Sequence, residues 1–156
     1  AIVDGKQTER IMRFIEAGKS TANLVVGGKQ VTVGGQGHYI EPTIFDDVDH
    51  DDPIARDEIF GPVLSIIPFD TEEEAVTMAN DSIYGLAASV WTDNLSRAHR
   101  VADAIHAGTV SVNTVDALSA ATPFGGMKQS GFGRDLSLHS LDKYSALKTI
   151  WFKYQA

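Results

Sequence analysis

The chain has 156 residues, of which 43% are apolar and 22% charged, with a net charge of −8 and no cysteine. The length suits one domain, the apolar runs are shorter than the roughly 20 residues that span a bilayer, and the acidic balance disfavours nucleic acid as a partner. The lack of cysteine excludes disulfides, thiolate zinc sites and a cysteine nucleophile within these residues, and a cytoplasmic protein is the default expectation.

The first half of the chain alternates a helix with short strands. Ile11, Phe14 and Ile15 recur at helical spacing, which predicts a helix that begins near Gln7 and ends with Gly18 as its C-cap. Next come a short strand in NLVVGG, a hairpin-like excursion, a strand near 39–45 and a strand in PVLSIIPFD at 62–70. The last is a nearly continuous apolar run, typical of a strand buried on both faces of a parallel sheet.

The second half continues the alternation. Thr71 and Glu74 have the spacing of a capping box, which predicts the start of a helix. A second helix is predicted from an apolar face that Gly108 follows as a cap; its residues are Leu95, Ala98, Val101, Ala102 and Ile105. Strands are predicted in LAASVW at 86–91, in TVSVN at 109–113 and in KTIWFKY at the end of the chain. The alternation of strand and helix predicts an α/β fold with parallel neighbours, one domain with a protruding terminal strand.

The Gly-rich stretch ATPFGGMKQSGFGRD at 121–135 matches neither usual phosphate-binding motif. A P-loop needs Gly-Lys-Ser/Thr after its spacer, whereas Gly131 is followed by Phe132. A dinucleotide fingerprint needs a third glycine where Leu136 stands. The stretch lies in a loop at 114–137 that exceeds the about 12 to 15 residues of an ordinary connection. A functional loop and a plain succession of turns remain equal alternatives.

The acidic stretch DDVDHDDP partly matches a calcium-binding loop. Asp47, Asp49, Asp51 and Glu58 have the spacing of EF-hand ligands, but Asp52 stands where the sharp turn needs glycine. A solvated acidic loop is therefore the favoured interpretation.

ARDEIFGPV at 55–63 carries the most informative chemistry. A turn before the strand would present Glu58 beside Phe60. A carboxylate can accept hydrogen bonds from both hydroxyls of a ribose, and an aromatic ring can pack against a sugar or a flat ring. The alternative is an acid in a turn above a core phenylalanine.

Four stretches, ARDEIFGPV, NDSIYGLAASVWT, AGTVSVN and TPFGGMKQSGFGRD, resemble the aldehyde dehydrogenase superfamily in their order and spacing. Within it, GRDLSLHSLDKYSALKTIW most resembles the γ-glutamyl-γ-aminobutyraldehyde dehydrogenases of putrescine degradation, with betaine-aldehyde and other aminoaldehyde enzymes nearby. The resemblance implies a three-layer αβα catalytic-domain fragment with a mostly parallel sheet. Residues 1–146 would be the C-terminal portion of that domain and 147–156 an oligomerisation strand, with the nucleotide-binding domain missing upstream of Ala1.

The resemblance also implies site residues. Glu58 corresponds to the glutamate that hydrogen-bonds the nicotinamide ribose of NAD or NADP, and Phe60 to the phenylalanine packed beside that ribose. In some relatives the backbone carbonyls at the positions of Lys128 and Gly131 hold a monovalent cation. The Gly-rich loop would then be a substrate wall and a carbonyl cage.

On the substrate side, Asn113 matches an asparagine beside the active site. Asp116, Leu118 and Phe124 fall where the family lines its substrate pocket, and an acidic Asp116 would suit the cationic end of an aminoaldehyde. The implied activity is the oxidation of a small-molecule aldehyde to the carboxylic acid.

The chain departs from the family in its catalytic groups. The family's chemistry uses a cysteine thiolate and a general-base glutamate, and both would lie upstream of Ala1. We therefore expect an inactive fragment, which self-associates through the unpaired strand 148–154. The alternative is a free-standing, non-catalytic binding or assembly module of the same fold.

Overall fold

The structure, a computed structural model, describes residues 1–115 and 117–155 and divides into two compact units, Ala1–Thr71 and Glu72–Ala156. In chain order the elements are α1 (Gly5–Thr21), β1 (Asn23–Val26), β2 (Gln30–Val33), β3 (Gln36–Ile40), β4 (Thr43–Asp46), α2 (Pro53–Arg56), β5 (Val63–Ser65), α3 (Glu72–Asn80), β6 (Ala87–Val90), α4 (Leu95–Ala104) and β7 (Thr109–Val112). Two 3-10 helices follow, Lys128–Ser130 and Leu138–Lys143.

The core of the first unit forms between α1 and its neighbouring strands and loops. The Asp4 side chain caps α1 by accepting a hydrogen bond of 2.8 Å from the backbone N–H of Gln7. Seven buried apolar residues make up the core cluster: Ile11, Ile15, Ile40, Phe45, Val48, Ile54 and Ile59. The predicted apolar face of α1 is therefore confirmed at Ile11 and Ile15.

Gly18 does not end α1, so its assignment as a C-cap was wrong. The helix continues to Thr21 and is capped by Ala22, whose N–H donates to the Gly18 carbonyl at 2.8 Å. A Cβ at position 18 would lie 2.9 Å from Ile54 Cδ1 and 3.0 Å from Phe45 Cζ. Glycine is needed here for a close approach between the helix and the core, not for a change of backbone direction.

The sheet of the first unit has the order β1–β4–β5, with β4 antiparallel to β1 and parallel to β5. The predicted hairpin is confirmed as the antiparallel pair β2–β3. The predicted strand over 39–45 is two strands, because Pro42 lacks the N–H that a continuous ladder needs. The strand predicted over 62–70 reduces to β5, and it is not buried on both faces. β5 lies at the sheet edge, where Leu64 is 55% exposed, and Ile66 directly after the strand is 43% exposed.

The second unit is built on the parallel pair β6–β7, in which Ala87 lies opposite Thr109. Both strands were predicted, and so were α3 and α4. The predicted cap Gly108 is not one, because α4 ends at Ala104 with Ile105 as its C-cap, and Leu95 at its start is 73% exposed. Gly108 instead donates its N–H to the Gly85 carbonyl at 3.0 Å.

An ion-pair cluster joins α3 to α4. The Glu72 carboxylate accepts hydrogen bonds from Arg100 Nη2 at 2.9 Å and Arg97 Nε at 3.1 Å. The hydrogen bonds from Arg100, then the charge of Arg100, and then the hydrogen bond and charge of Arg97 lower the pKa of the Glu72 carboxyl from its ordinary value. Glu72 is the first residue of α3, where a negative charge also interacts favourably with the helix dipole.

The α/β class is confirmed, although the parallel pairing is limited to two small sheets. Antiparallel pairs join β1 to β4 and β2 to β3. Residues 145–155 form no strand within the described part of the chain, because no ladder partner lies beside them. The three-layer arrangement, the boundary at 146 and the terminal oligomerisation strand stay predictions. Among the described residues, no helix has the length and apolar character needed to cross a bilayer.

Candidate functional site

The turn at 57–61, between α2 and β5, presents two of the predicted site residues. Ile59 is 8% exposed and belongs to the core cluster, whereas Glu58 and Phe60 on either side are exposed, Phe60 to 69%. The buried isoleucine thus anchors the turn, and its neighbours point a carboxylate and an aromatic ring outward. The alternative interpretation, an acid in a turn above a core phenylalanine, is therefore wrong, because Phe60 is exposed.

Side chains of α1 hold the backbone of this turn. Arg10 Nη1 donates to the Ile59 carbonyl at 2.6 Å, and Arg10 Nη2 donates to the Glu58 carbonyl at 2.8 Å. Gln7 Nε2 donates to the carbonyls of Ile59 and Phe60 at 3.1 and 3.2 Å. The backbone of Phe60 is in the left-handed region, with φ 55°. Sequence reasoning missed Gln7 and Arg10, because nothing local links them to a segment some 50 residues away.

An open depression of about 390 Å³ lies beside the turn. Its lining comes from α2, the turn and β5, and includes Ala55, Asp57, Glu58, Phe60 and Leu64. Within the described part of the chain, no hydrogen bond or ion pair occupies the Glu58 carboxylate. Both of its oxygens are available to hydroxyl donors of a ligand.

A second depression, of about 410 Å³, lies in the second unit on β6 and β7. Leu118 and Phe124 both line it, together with Ala87, Ala88, Ser89, Thr109, Ser111 and Val115, and their role in a substrate pocket stays a prediction. Among the described residues, the buried Thr109 Oγ1 has no hydrogen-bond partner. The pocket therefore combines apolar walls with hydroxyl groups. Asp116, the predicted acid, lies outside the described residues.

The side-chain amide of Asn113 is hydrogen-bonded to the backbone of Thr92. Its Oδ1 accepts a hydrogen bond from the Thr92 N–H at 2.9 Å, and its Nδ2 donates to the Thr92 carbonyl at 3.0 Å. Its backbone is left-handed at φ 53°, a conformation that asparagine tolerates better than most residues. In this arrangement the amide fixes the end of β7 to the segment after β6.

The Gly-rich loop is an ordered succession of turns attached to the segment before β6. The N–H of Met127 donates to the Gly85 carbonyl at 2.9 Å, and the Gly85 N–H donates to Ser130 Oγ at 3.0 Å. Phe124 and Asp135 form an antiparallel bridge. A Cβ on Gly108 would run into the Gly125 carbonyl oxygen, so the start of β7 needs glycine for the loop to approach.

The carbonyl pair predicted to hold a cation gains no support from this geometry. The Lys128 carbonyl accepts a hydrogen bond of 3.4 Å from the Gly131 N–H within the 3-10 turn. The Lys128 ammonium meanwhile donates to the carbonyls of Asn80 and Ser82, at 2.7 and 3.0 Å. The Lys128 ammonium thus binds the carbonyls at the end of α3. Binding of a monovalent cation by the loop stays a prediction.

In the acidic stretch, two carboxylates accept hydrogen bonds from nearby backbone N–H groups. Asp52 Oδ1 caps α2 by accepting from the Ile54 N–H at 2.9 Å, and Asp49 Oδ1 accepts from the Asp51 N–H at 2.8 Å. These bonds agree with a structural interpretation rather than a calcium loop.

Comparison with known proteins identifies the class. The model of the Aldehyde dehydrogenase family matches residues 1–150, and the chain belongs to that family. The Betaine aldehyde dehydrogenase of Rhizobium etli is 48% identical over 152 residues, which are 96% of this chain and 31% of that protein. The chain thus spans about a third of the length of the curated relatives it matches.

Two solved structures show the same backbone. The indole-3-acetaldehyde dehydrogenase AldA of P. syringae, a cysteine-to-alanine mutant in complex with NAD+ and IAA, has a TM-score of 0.94 and 54% identity, over 99% of this chain and 31% of that one. The γ-glutamyl-γ-aminobutyraldehyde dehydrogenase of Burkholderia cenocepacia has a TM-score of 0.91 and 56% identity, over 95% of this chain and 30% of that one.

Proposed function

We propose that this chain forms the ribose side of the cofactor site and one wall of the substrate pocket in an NAD(P)-dependent aldehyde dehydrogenase. The observation that carries the proposal is the exposed pair Glu58 and Phe60 on a turn anchored by the buried Ile59. Family membership supports it, and so does the NAD+ complex of the P. syringae relative.

In this proposal the two exposed residues of the turn, Glu58 and Phe60, make different contacts with the cofactor. The two Glu58 oxygens accept hydrogen bonds from the two ribose hydroxyls, and the Phe60 ring packs beside the sugar. NAD(P), when bound, supplies the hydride acceptor of the reaction. The contribution of these residues is to orient the sugar that carries the nicotinamide.

For the substrate we propose an aminoaldehyde. Leu118 and Phe124 would pack against its carbon chain, and Asp116 would attract its cationic end. The Rhizobium etli and B. cenocepacia relatives, named for betaine aldehyde and γ-glutamyl-γ-aminobutyraldehyde, support this substrate class. A role in putrescine degradation is part of the same proposal.

We further propose that the chain is inactive alone. It holds no cysteine, so a thiolate nucleophile must come from outside these 156 residues. Loss of the acting nucleophile removes covalent catalysis altogether rather than weakening it.

Self-association is proposed through the terminal segment 148–154. Its large apolar side chains are exposed, with Trp151 at 91% and Phe152 at 73%. Unpaired backbone together with apolar side chains is a template for pairing between chains. Light scattering over a concentration series should show a dimer or larger species, and a monomer at the highest concentration would rule this out.

The test measures NADH formation from an aminoaldehyde with the chain alone and with the chain co-folded with the part of a full-length relative, the Betaine aldehyde dehydrogenase of Rhizobium etli, that this chain does not match. Activity in the mixture alone is the expected result. Activity of the chain alone would refute the nucleophile argument. If neither sample forms NADH although both polypeptides are folded, the alternative of a non-catalytic binding or assembly module would be favoured.

A further inference from the structure

We infer that Arg10 and Gln7 are positioning residues for the turn at 57–61, which they hold in the conformation that presents Glu58 and Phe60. The inference rests on the proposed function for what the turn binds. The holding itself follows from contacts within the first unit.

The contacts converge on three consecutive carbonyl oxygens, those of Glu58, Ile59 and Phe60. The two donors stand three positions apart on α1, and side chains at that spacing lie on the same helix face. The fork of the Arg10 guanidinium fits two adjacent carbonyls at once, and hydrogen bonds from a charged donor are stronger than neutral ones. A lysine offers a single point charge and could not reproduce this geometry.

The turn needs such support because of its backbone. Phe60 has φ 55°, a sparsely populated conformation for a bulky residue, which persists only where the surroundings over-determine it. Gln7 and Arg10 donate to the Ile59 carbonyl, in the peptide unit before the Phe60 Cα, and Gln7 also donates to the Phe60 carbonyl, in the peptide unit after it. They therefore act directly on the peptide units that set its φ angle.

Arg10 is itself held by a further contact on α1. The Arg10 guanidinium carbon lies 5.0 Å from the centre of the Phe14 ring, one turn along α1, in a cation–π contact. Gly61, the residue after Phe60, packs closely against α1, because a Cβ at this position would lie 2.8 Å from side-chain atoms of Ile11. The turn is thus pressed against α1 on one side and presents its carboxylate and its ring on the other.

The first experiment measures cleavage of the Glu58–Ile59 bond of the chain by endoproteinase Glu-C, followed by mass spectrometry. Since a protease needs a locally opened backbone, Arg10→Met should speed cleavage there by about tenfold or more. Gln7→Met should give a smaller rise, and Arg10→Lys should fall between wild type and Arg10→Met. Arg13→Met, which removes an exposed arginine one turn along the same helix, is the matched control and should change nothing.

A merely structural role would give a different pattern. If Arg10→Met only weakened the unit as a whole, cleavage after Glu16 would rise in proportion to cleavage after Glu58, and the inference would be overturned. An unchanged rate after Glu58 in both Arg10→Met and Gln7→Met would also overturn it. Should Arg10→Met fail to fold, Gln7→Met and Arg10→Lys decide by the same two criteria.

The second experiment uses the co-folded enzyme of the preceding subsection. Arg10→Met should raise KM for NAD by about tenfold and leave KM for the aldehyde within about twofold, with partial recovery in Arg10→Lys. A mixture in which wild type is inactive would refute the proposed function, and the cleavage result would still judge the inference. An active mixture in which Arg10→Met leaves KM for NAD unchanged would refute the positioning role.

Discussion

Gly18→Ala should destabilise the chain, although alanine is the better helix former. Position 18 lies inside α1, where replacing glycine favours the helix by about 1 kcal/mol. The new Cβ would lie 2.9 Å from Ile54 Cδ1, 3.0 Å from Phe45 Cζ and 3.2 Å from Phe45 Cε1, all below the 3.4 Å at which ordinary contact begins. Phe45 is fully buried and Ile54 is 4% exposed, so neither can move without disturbing the core.

Overpacking of this kind costs about 1–3 kcal/mol, which at least cancels the gain in helix propensity of about 1 kcal/mol. We therefore expect a net loss of up to about 2 kcal/mol in the free energy of unfolding. The assay is urea denaturation followed by far-UV circular dichroism. Gly5→Ala on the same helix is the control, because its Cβ would lie 3.4 Å from His38 Cε1 and should be tolerated. If Gly18→Ala stabilised the chain as a plain helix substitution does, the close approach assigned to this glycine would be wrong.

Two further predictions concern the second unit. Glu72→Gln should lower the melting temperature at pH 7, because it breaks the pairs with Arg97 and Arg100. The folded-state pKa of Glu72 lies below its ordinary 4.5, so its contribution is present above pH 4.5 and is lost as the pH falls through the folded pKa. The difference between wild type and Glu72→Gln should therefore shrink at pH 3, and a constant difference would contradict the assignment. Asn113→Ala should cost about 1–2 kcal/mol in urea denaturation, because it removes both bonds to Thr92. An unchanged midpoint would show that the amide does not fasten β7.

Local patterns predicted the local structure well. The apolar spacing of α1 and the strands β6 and β7 needed only neighbouring residues, and all three were found. The role of Gly18 could not be read in this way. The sequence does not distinguish a glycine that caps a helix from one that allows close packing. The close packing at Gly18 is against Phe45 and Ile54, which lie far along the chain.

The candidate site was predicted only in part for the same reason. A carboxylate and an aromatic residue in a turn suggested Glu58 and Phe60, and their exposure agrees. Leu118 and Phe124 were placed in one pocket by family resemblance, not by periodicity. The bond from Arg10 to the turn joins positions 49 residues apart, and no sequence pattern marks such a pair.

The measurement that tests the account most directly is KM for NAD in the co-folded enzyme carrying Glu58→Gln, with Asp57→Asn as control. Both changes remove one negative charge from adjacent exposed positions of the same turn, but only Glu58 is assigned to the ribose hydroxyls. We expect KM for NAD to rise about tenfold or more in Glu58→Gln, from the loss of charge-assisted hydrogen bonds, and to change within about twofold in Asp57→Asn. Equal effects of the two variants, or none from either, would contradict this expectation.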